Sequence, residues 1–151
     1  MRPRRSLALL AAIGVAGCGA SDSPDEPGPA PRMSANERLV RDWSEALSRD
    51  DFEQAAGFFA RGALIEQSRT FRLPDRRAAL AFNRSLPCRG RVIRVEDRGD
   101  SAVASFTLSP RPGVPAAACN DVVRVRFRSR GGRFVEWRQL PPPAAPGGQR
   151  A

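Results

Sequence analysis

The chain has no histidine and no tyrosine, and all 25 of its basic residues are arginine. Without imidazole it lacks the side chain that most readily exchanges a proton near neutral pH. Metal ligation is left to carboxylates and thiols, and with only three cysteines a metal site is not expected. Long apolar runs are missing too. The one sustained stretch, Leu7 to Ala16, is about ten residues, against the ~20 that a spanning helix needs. Acidic residues number 16, so the formal net charge is +9. A basic surface suits anionic lipid or an acidic polymer, although most of these arginines read as a solvated face. There is no nucleic-acid-binding motif, and no nucleic-acid partner is expected.

What is present begins at the N-terminus. Arg2, Arg4 and Arg5 precede the apolar run, which ends in Val15-Ala16-Gly17-Cys18. This arrangement is that of an export signal, and its end resembles a bacterial lipobox. That resemblance implies cleavage before Cys18 and a diacylglycerol on its sulfur, so the partner at this end is a membrane surface, reached from the extracytoplasmic side. A plain secretory peptide cut elsewhere and an uncleaved anchor are the alternatives. Residues 1–17 are thus a signal and 18–33 a tether, rich in Ser, Asp, Pro and Gly, with almost nothing to bury. Residues 141–151 are a Pro/Gly-rich tail. One domain is expected between them, over 34–140.

The domain opens with Ser34-Ala35-Asn36-Glu37, a capping box, followed by an apolar face of Leu39, Val40, Trp43, Ala46 and Leu47 at helical spacing. Asp51 caps a second helix with Phe52, Ala55, Ala56 and Phe59 inward and Gly62 at its end. Two short strands, Ala63 to Gln67 and Thr70 to Leu73, precede a third helix capped by Asp75 and stopped at Pro87. The period then changes to two. Strands are expected over 91–97, 102–108, 123–128 and 134–140, with turns at Gly99 and at Gly131-Gly132. The order implies an α+β fold, with helices on one face of a curved, mostly antiparallel sheet. Two antiparallel strands between Cys88 and Cys119 bring both cysteines to one end of the sheet. In an exported domain that favours a disulfide, with a free buried pair as the alternative.

The run Asp51-Phe52-Glu53-Gln54-Ala55-Ala56-Gly57-Phe58-Phe59-Ala60-Arg61-Gly62-Ala63 resembles the second-helix signature of the nuclear transport factor 2-like superfamily, which includes the SnoaL-like polyketide cyclases. Gly132-Arg133-Phe134-Val135-Glu136-Trp137-Arg138 is similar to its final strand. The resemblance covers 34–140 and implies three helices closing a cone over a bent sheet, with a pocket inside. Members include ketosteroid isomerases, which use a tyrosine and an aspartate, and limonene epoxide hydrolases, which end in a Trp-Arg-Asp run. This chain has no tyrosine, and Gln139 follows Trp137-Arg138. An amide does not ionise, so Gln139 is neither acid nor base. No catalytic set and no cofactor is implied.

Strand parity places Val135, Trp137 and Gln139 on the pocket face with Val123, Val125 and Phe127, and Arg124, Arg126, Arg128, Glu136 and Arg138 on the other. Trp43 closes the pocket from the first helix. The plainer reading makes both tryptophans simply core. The expected lining is Trp43, Glu66, Val125, Phe127, Trp137 and Gln139. The leading expectation is a lipid-anchored binding or accessory domain for a small apolar ligand, with no chemistry of its own. One alternative is an isomerase-, hydrolase- or cyclase-like enzyme with Glu66 as base, its pKa raised by desolvation if it faces inward. The other is an interaction protein, a homodimer included, that uses the arginine-rich outer sheet face.

Overall fold

A computed structural model describes residues 32–119 and 121–142. Cys18, the expected signal and nearly all of the tether lie outside the described residues, as does the tail from residue 143. The elements are α1 (Ala35–Ser48), α2 (Phe52–Gly57), β1 (Phe59–Glu66), β2 (Thr70–Leu73), α3 (Arg76–Ser85), β3 (Cys88–Asp97), β4 (Ser101–Pro110), β5 (Val122–Arg130) and β6 (Arg133–Leu140). A short 3-10 turn, Ala116–Cys119, lies between β4 and β5.

Each helix starts where a short polar side chain takes up a free backbone N–H. Ser34 Oγ accepts from Glu37 N at 3.0 Å, Asp51 Oδ1 from Gln54 N at 2.9 Å, and Asp75 Oδ1 from Ala78 N at 2.9 Å. The return half of the expected capping box is not made. The Glu37 carboxylate instead accepts from Arg41 one turn on, at 2.7 Å. This charge-assisted bond on the helix surface outcompetes a reach back to the cap.

The six strands form one open sheet in the order β2-β1-β6-β5-β4-β3. Every neighbouring pair is antiparallel except β1 with β6, which is parallel. The fold is therefore α+β, with three helices over a curved, unclosed sheet. Val40, Trp43, Ala46 and Leu47 of α1 and Ala79 and Phe82 of α3 join the inward residues of the strands in one core. Among the described residues no helix is long and apolar enough to cross a membrane.

Three strands depart from the expected boundaries or parity. The second helix stops at Gly57, and Phe59 begins β1 rather than ending α2. Phe134 N donates to Phe58 O at 2.8 Å, so the final strand captures this segment in parallel pairing and overrides its helical pattern. Gly62 then sits inside β1 at φ 79°, where the register against β6 slips. Only a residue without Cβ takes that backbone at no steric cost. In β6, Arg128 pairs with Glu136 but Ser129 with Phe134, so Val135 is an extra residue. The bulge turns Phe134 inward, 4.8 Å from Phe127 between ring centroids, and leaves Val135 half-buried. A similar slip in β3 leaves Ile93 out of the ladder and 47% exposed.

Candidate functional site

Trp43 packs into the aromatic core. Its ring meets Phe59, Phe106, Phe127 and Phe134 edge-on, with centroids 5.5–6.2 Å apart. Its Nε1 donates to Asn83 Oδ1 at 2.9 Å, and Asn83 Nδ2 donates to Ala79 O at 2.7 Å. A fully buried amide is tolerated on α3 because both of its ends are hydrogen-bonded.

A cleft of about 290 Å³ lies between α1, the end of α3 and the sheet. Its walls are largely apolar: Trp43 and Leu47 of α1, Leu86 after α3, Leu108 of β4, and Val123 and Val125 of β5. Trp137 of β6 forms a further wall and packs edge-on against Phe82 at 5.5 Å. Trp137 is 4% exposed, and its indole N–H is buried with no hydrogen-bond partner among the described residues. The polar side chains of the lining are Ser44 on α1 and, at the exposed rim, Gln67, Asp121 and Gln139. Asp121 is the one ionisable residue of this lining, and no arginine belongs to it.

Of the expected lining residues, Trp43, Val125, Trp137 and Gln139 come together at this cleft, and Glu66 and Phe127 do not. Phe127 is core: it is packed among Trp43, Phe106 and Phe134 and leaves no face free. Glu66 projects from the opposite face of the sheet. In the parallel register Ile65 pairs with Trp137 and Glu66 with Arg138, so fully buried Ile65 takes the inward position. The Glu66 carboxylate pairs with the Arg138 guanidinium. A base at Glu66 is thus withdrawn from the pocket by strand parity. Within the cleft there is no proton donor and acceptor placed together.

The cleft's outer wall comes from the segment between β4 and β5, which contributes Ala118 and Asp121. It is tied down twice. Cys88 and Cys119 form a disulfide, with Cα atoms 5.8 Å apart. Arg111 Nη2 donates to Leu47 O and Nε to Leu86 O, both at 3.1 Å, and its guanidinium lies 5.0 Å from the centre of the Phe52 ring. Arg111 and Arg89 both pair with Asp50. The hydrogen bond from Arg89 holds the Asp50 carboxyl below the usual aspartate range, and the Arg111 charge acts in the same direction.

Sequence reasoning missed Asp121, Gln67 and Asn83. Asn83 left a signal, since it lies four residues after Ala79 on the inward face of α3. Asp121 left only its position two residues after Cys119. Gln67 left none, because it follows the end of a strand whose bulge cannot be read in advance.

No family model matches the chain, and no curated protein does. Solved structures do match. A protein of Sinorhizobium meliloti, provisionally assigned as a polyketide cyclase, is 20% identical over 68% of this chain and 94% of its own, with a TM-score of 0.54. One from Kribbella flavida, provisionally assigned as a ketosteroid isomerase, is 19% identical over 77% and 85%, with a TM-score of 0.57. A nuclear transport factor 2-like protein of unknown function from Cytophaga hutchinsonii is 8% identical over 73% and 91%, with a TM-score of 0.58. The chain has the nuclear transport factor 2-like fold. At these identities the likeness is one of fold, and function rests on the cleft. Within that fold, Trp43 and its phenylalanines belong to the core, and the cleft lies beside Cys88 of the disulfide.

Proposed function

We propose that the chain is a lipid-anchored, extracytoplasmic binding domain that holds a compact apolar molecule in the cleft and does no chemistry on it. The observation that carries the reading is the largely apolar cleft of about 290 Å³, whose lining among the described residues holds a single carboxylate. The volume is at the small end of the ~300–1,000 Å³ typical of ligand sites. Anchoring at Cys18 and export rest on the sequence of the first eighteen residues.

The enzymatic alternative draws on the fold neighbours provisionally assigned as a cyclase and an isomerase. Among the described residues the one carboxylate at the cleft is Asp121, since Glu66 faces away. A lone rim carboxylate lacks the paired acid and base that each supply ~10²–10⁴-fold. Titration of tryptophan fluorescence with apolar ligands, run beside a turnover panel of epoxides and ketosteroids, separates the readings. Saturable binding without turnover is expected. Turnover that disappears in Asp121→Asn overturns the non-catalytic reading, and the absence of both signals transfers the case to the outer sheet face.

A further inference from the structure

We propose that the end of the domain at which the chain enters from its N-terminal side docks on an anionic bilayer. Arg32, Arg38, Arg130 and Arg133 meet the lipid headgroups, and the cleft faces away from them. The inference rests on the lipid-anchored reading above and adds to it a contact face and an orientation.

Strand direction defines two ends. β3 and β5 start at Cys88 and Val122, and β4 and β6 finish at Pro110 and Leu140. From this end the cleft takes Cys88, Leu108, Val123 and Gln139. The other end holds the turns at residues 98–100 and 131–132. There α1 begins: Asn36 Nδ2 donates to Gly99 O at 2.8 Å, and Ser129 Oγ donates to Asn36 Oδ1. Leu47, at the far end of α1, lines the cleft. The chain thus enters the domain opposite the cleft, with roughly 25 Å of strand between the two ends.

Charge at the entry end is unbalanced. Arg130 and Arg133 are cross-strand partners around Gly131-Gly132, and both are exposed. Neither meets a carboxylate among the described residues, and neither do the exposed Arg32 and Arg38. Like charges directly opposite one another destabilise a strand pair. The other arginine pair of these strands, Arg126 with Arg138, is answered by Glu136 and Glu66. Most carboxylates at the entry end are already engaged: Asp100 by Arg128, Glu96 by Arg94 and Arg98, Glu37 by Arg41. Asp97 has no arginine, but it accepts from Asn36 Nδ2 and Gly99 N. Met33, next to Arg32, is 43% exposed and offers an apolar side chain to the headgroup layer.

An anionic headgroup between Arg130 and Arg133 relieves their repulsion. Each arginine at an anionic surface favours contact about fivefold. A tether over residues 18–33 has a typical reach of about 20 Å, so a lipid on Cys18 keeps this end close to the surface. The tether's own Asp22, Asp25 and Glu26 compete for the same arginines. They belong to a Pro- and Gly-rich segment that gives up chain entropy with each contact, whereas the headgroups form a dense array. In this orientation the cleft exchanges its ligand with the aqueous side and not with the bilayer.

The test uses the processed chain, purified from cells that export it and mixed with vesicles of phosphatidylcholine alone or with about 30% phosphatidylglycerol, a surface charge of the kind that attracts basic segments. Phenylglyoxal modification, mapped by mass spectrometry, reads each arginine. Flotation with the vesicles in about 0.5 M salt, where surface charge is screened, reads the anchor. Phosphatidylglycerol should slow modification of Arg130 and Arg133 at least about fivefold relative to Arg91 and Arg124, which lie toward the cleft end of β3 and β5. High salt should erase the difference. Arg130→Gln with Arg133→Gln, in an exposed turn, should return Arg38 to its rate on the neutral vesicles. Arg91→Gln with Arg124→Gln removes the same charge elsewhere and should leave Arg130 and Arg133 protected. Equal rates on the two vesicles overturn the docking, and slow rates on both assign these arginines to the carboxylates of the tether. In either case flotation that resists salt leaves the anchor in place. Protection by phosphatidylglycerol without flotation in salt overturns the anchor and keeps the docking.

Discussion

Trp43 and Trp137 are both buried on the inner side of the sheet, and they differ in one bond. The Trp43 N–H is met by Asn83, whereas the Trp137 N–H is met by nothing among the described residues. The Trp43–Asn83 pair is thus structural and its energy is testable. Asn83→Leu strands the Trp43 donor and should cost about 1–3 kcal/mol in urea unfolding. Trp43→Phe combined with Asn83→Leu leaves no orphan from this pair, so the double variant should be more stable than the sum of the singles. Strict additivity would mean the bond does not couple the two residues. Asp50 gives a second test. It occupies a left-handed backbone conformation at φ 59°, which Asn and Asp tolerate better than other residues with a Cβ. Its carboxyl is held below the usual range by the Arg89 hydrogen bond, and Asp97 is held low by the Ser34 hydroxyl, the Gly99 N–H and Asn36. A depressed folded-state pKa contributes stability above the unfolded value, and that stability is lost as pH falls through the folded one. Asp50→Asn should therefore lower stability at neutral pH and flatten its decline as pH falls through and below the usual aspartate range. An unchanged acid limb would show that the two arginines do not act through this charge.

The same asymmetry holds for the elements. Local signals located the helices: Ser34, Asp51 and Asp75 cap where short polar side chains before apolar faces predict. Alternation located β4 and β5: Val123, Val125 and Phe127 alternate with arginines in β5, and Ala104, Phe106 and Leu108 with polar residues in β4, where Val103 is buried as well. Bulges were not legible. Val135 reads as inward by parity, and only the slip opposite Ser129 shows that Phe134 takes its place. Phe59 reads as helical, and only pairing with β6 makes it a strand. In each case a contact far along the chain outweighs the local pattern. For the cleft, aromatic and aliphatic wall residues were legible as inward positions, whereas Asp121 and Ala118 depend on how the segment after β4 is pinned. The disulfide does that pinning, and its removal should be visible twice. With the cysteines 31 positions apart in sequence, reduction should cost about 3–4 kcal/mol in the chain-entropy model. Releasing Ala118 and Asp121 should also weaken ligand binding. Equal unfolding midpoints with and without dithiothreitol would show that the bond does not constrain the unfolded chain.

For the whole molecule, charge and compartment bear on each other. On the outer face of the sheet several of the charges answer one another. Arg126 Nε donates to Glu136 Oε1 at 3.1 Å, and Arg138 pairs with Glu66. This face needs no partner to satisfy these groups, which favours the cleft over the outer surface as the working site. A second copy docked there would have to desolvate these pairs, at a cost that its contacts rarely repay. The proposed extracytoplasmic compartment rests on two separate features, the lipobox-like run that ends at Cys18 and a disulfide of the kind that persists in oxidising surroundings. They can be tested independently. Cys18→Ala should abolish lipid labelling and leave the precursor unprocessed, yet the exported chain should still link Cys88 to Cys119, because oxidation requires export and not lipid. A chain made without its first eighteen residues and retained in a reducing cytosol should instead present Cys88 and Cys119 as alkylatable thiols. Peptide mapping without reductant, together with metabolic palmitate labelling, reads both outcomes. Unchanged labelling in Cys18→Ala would remove the lipid anchor, and free thiols in the exported protein would remove the disulfide as the clamp on the cleft.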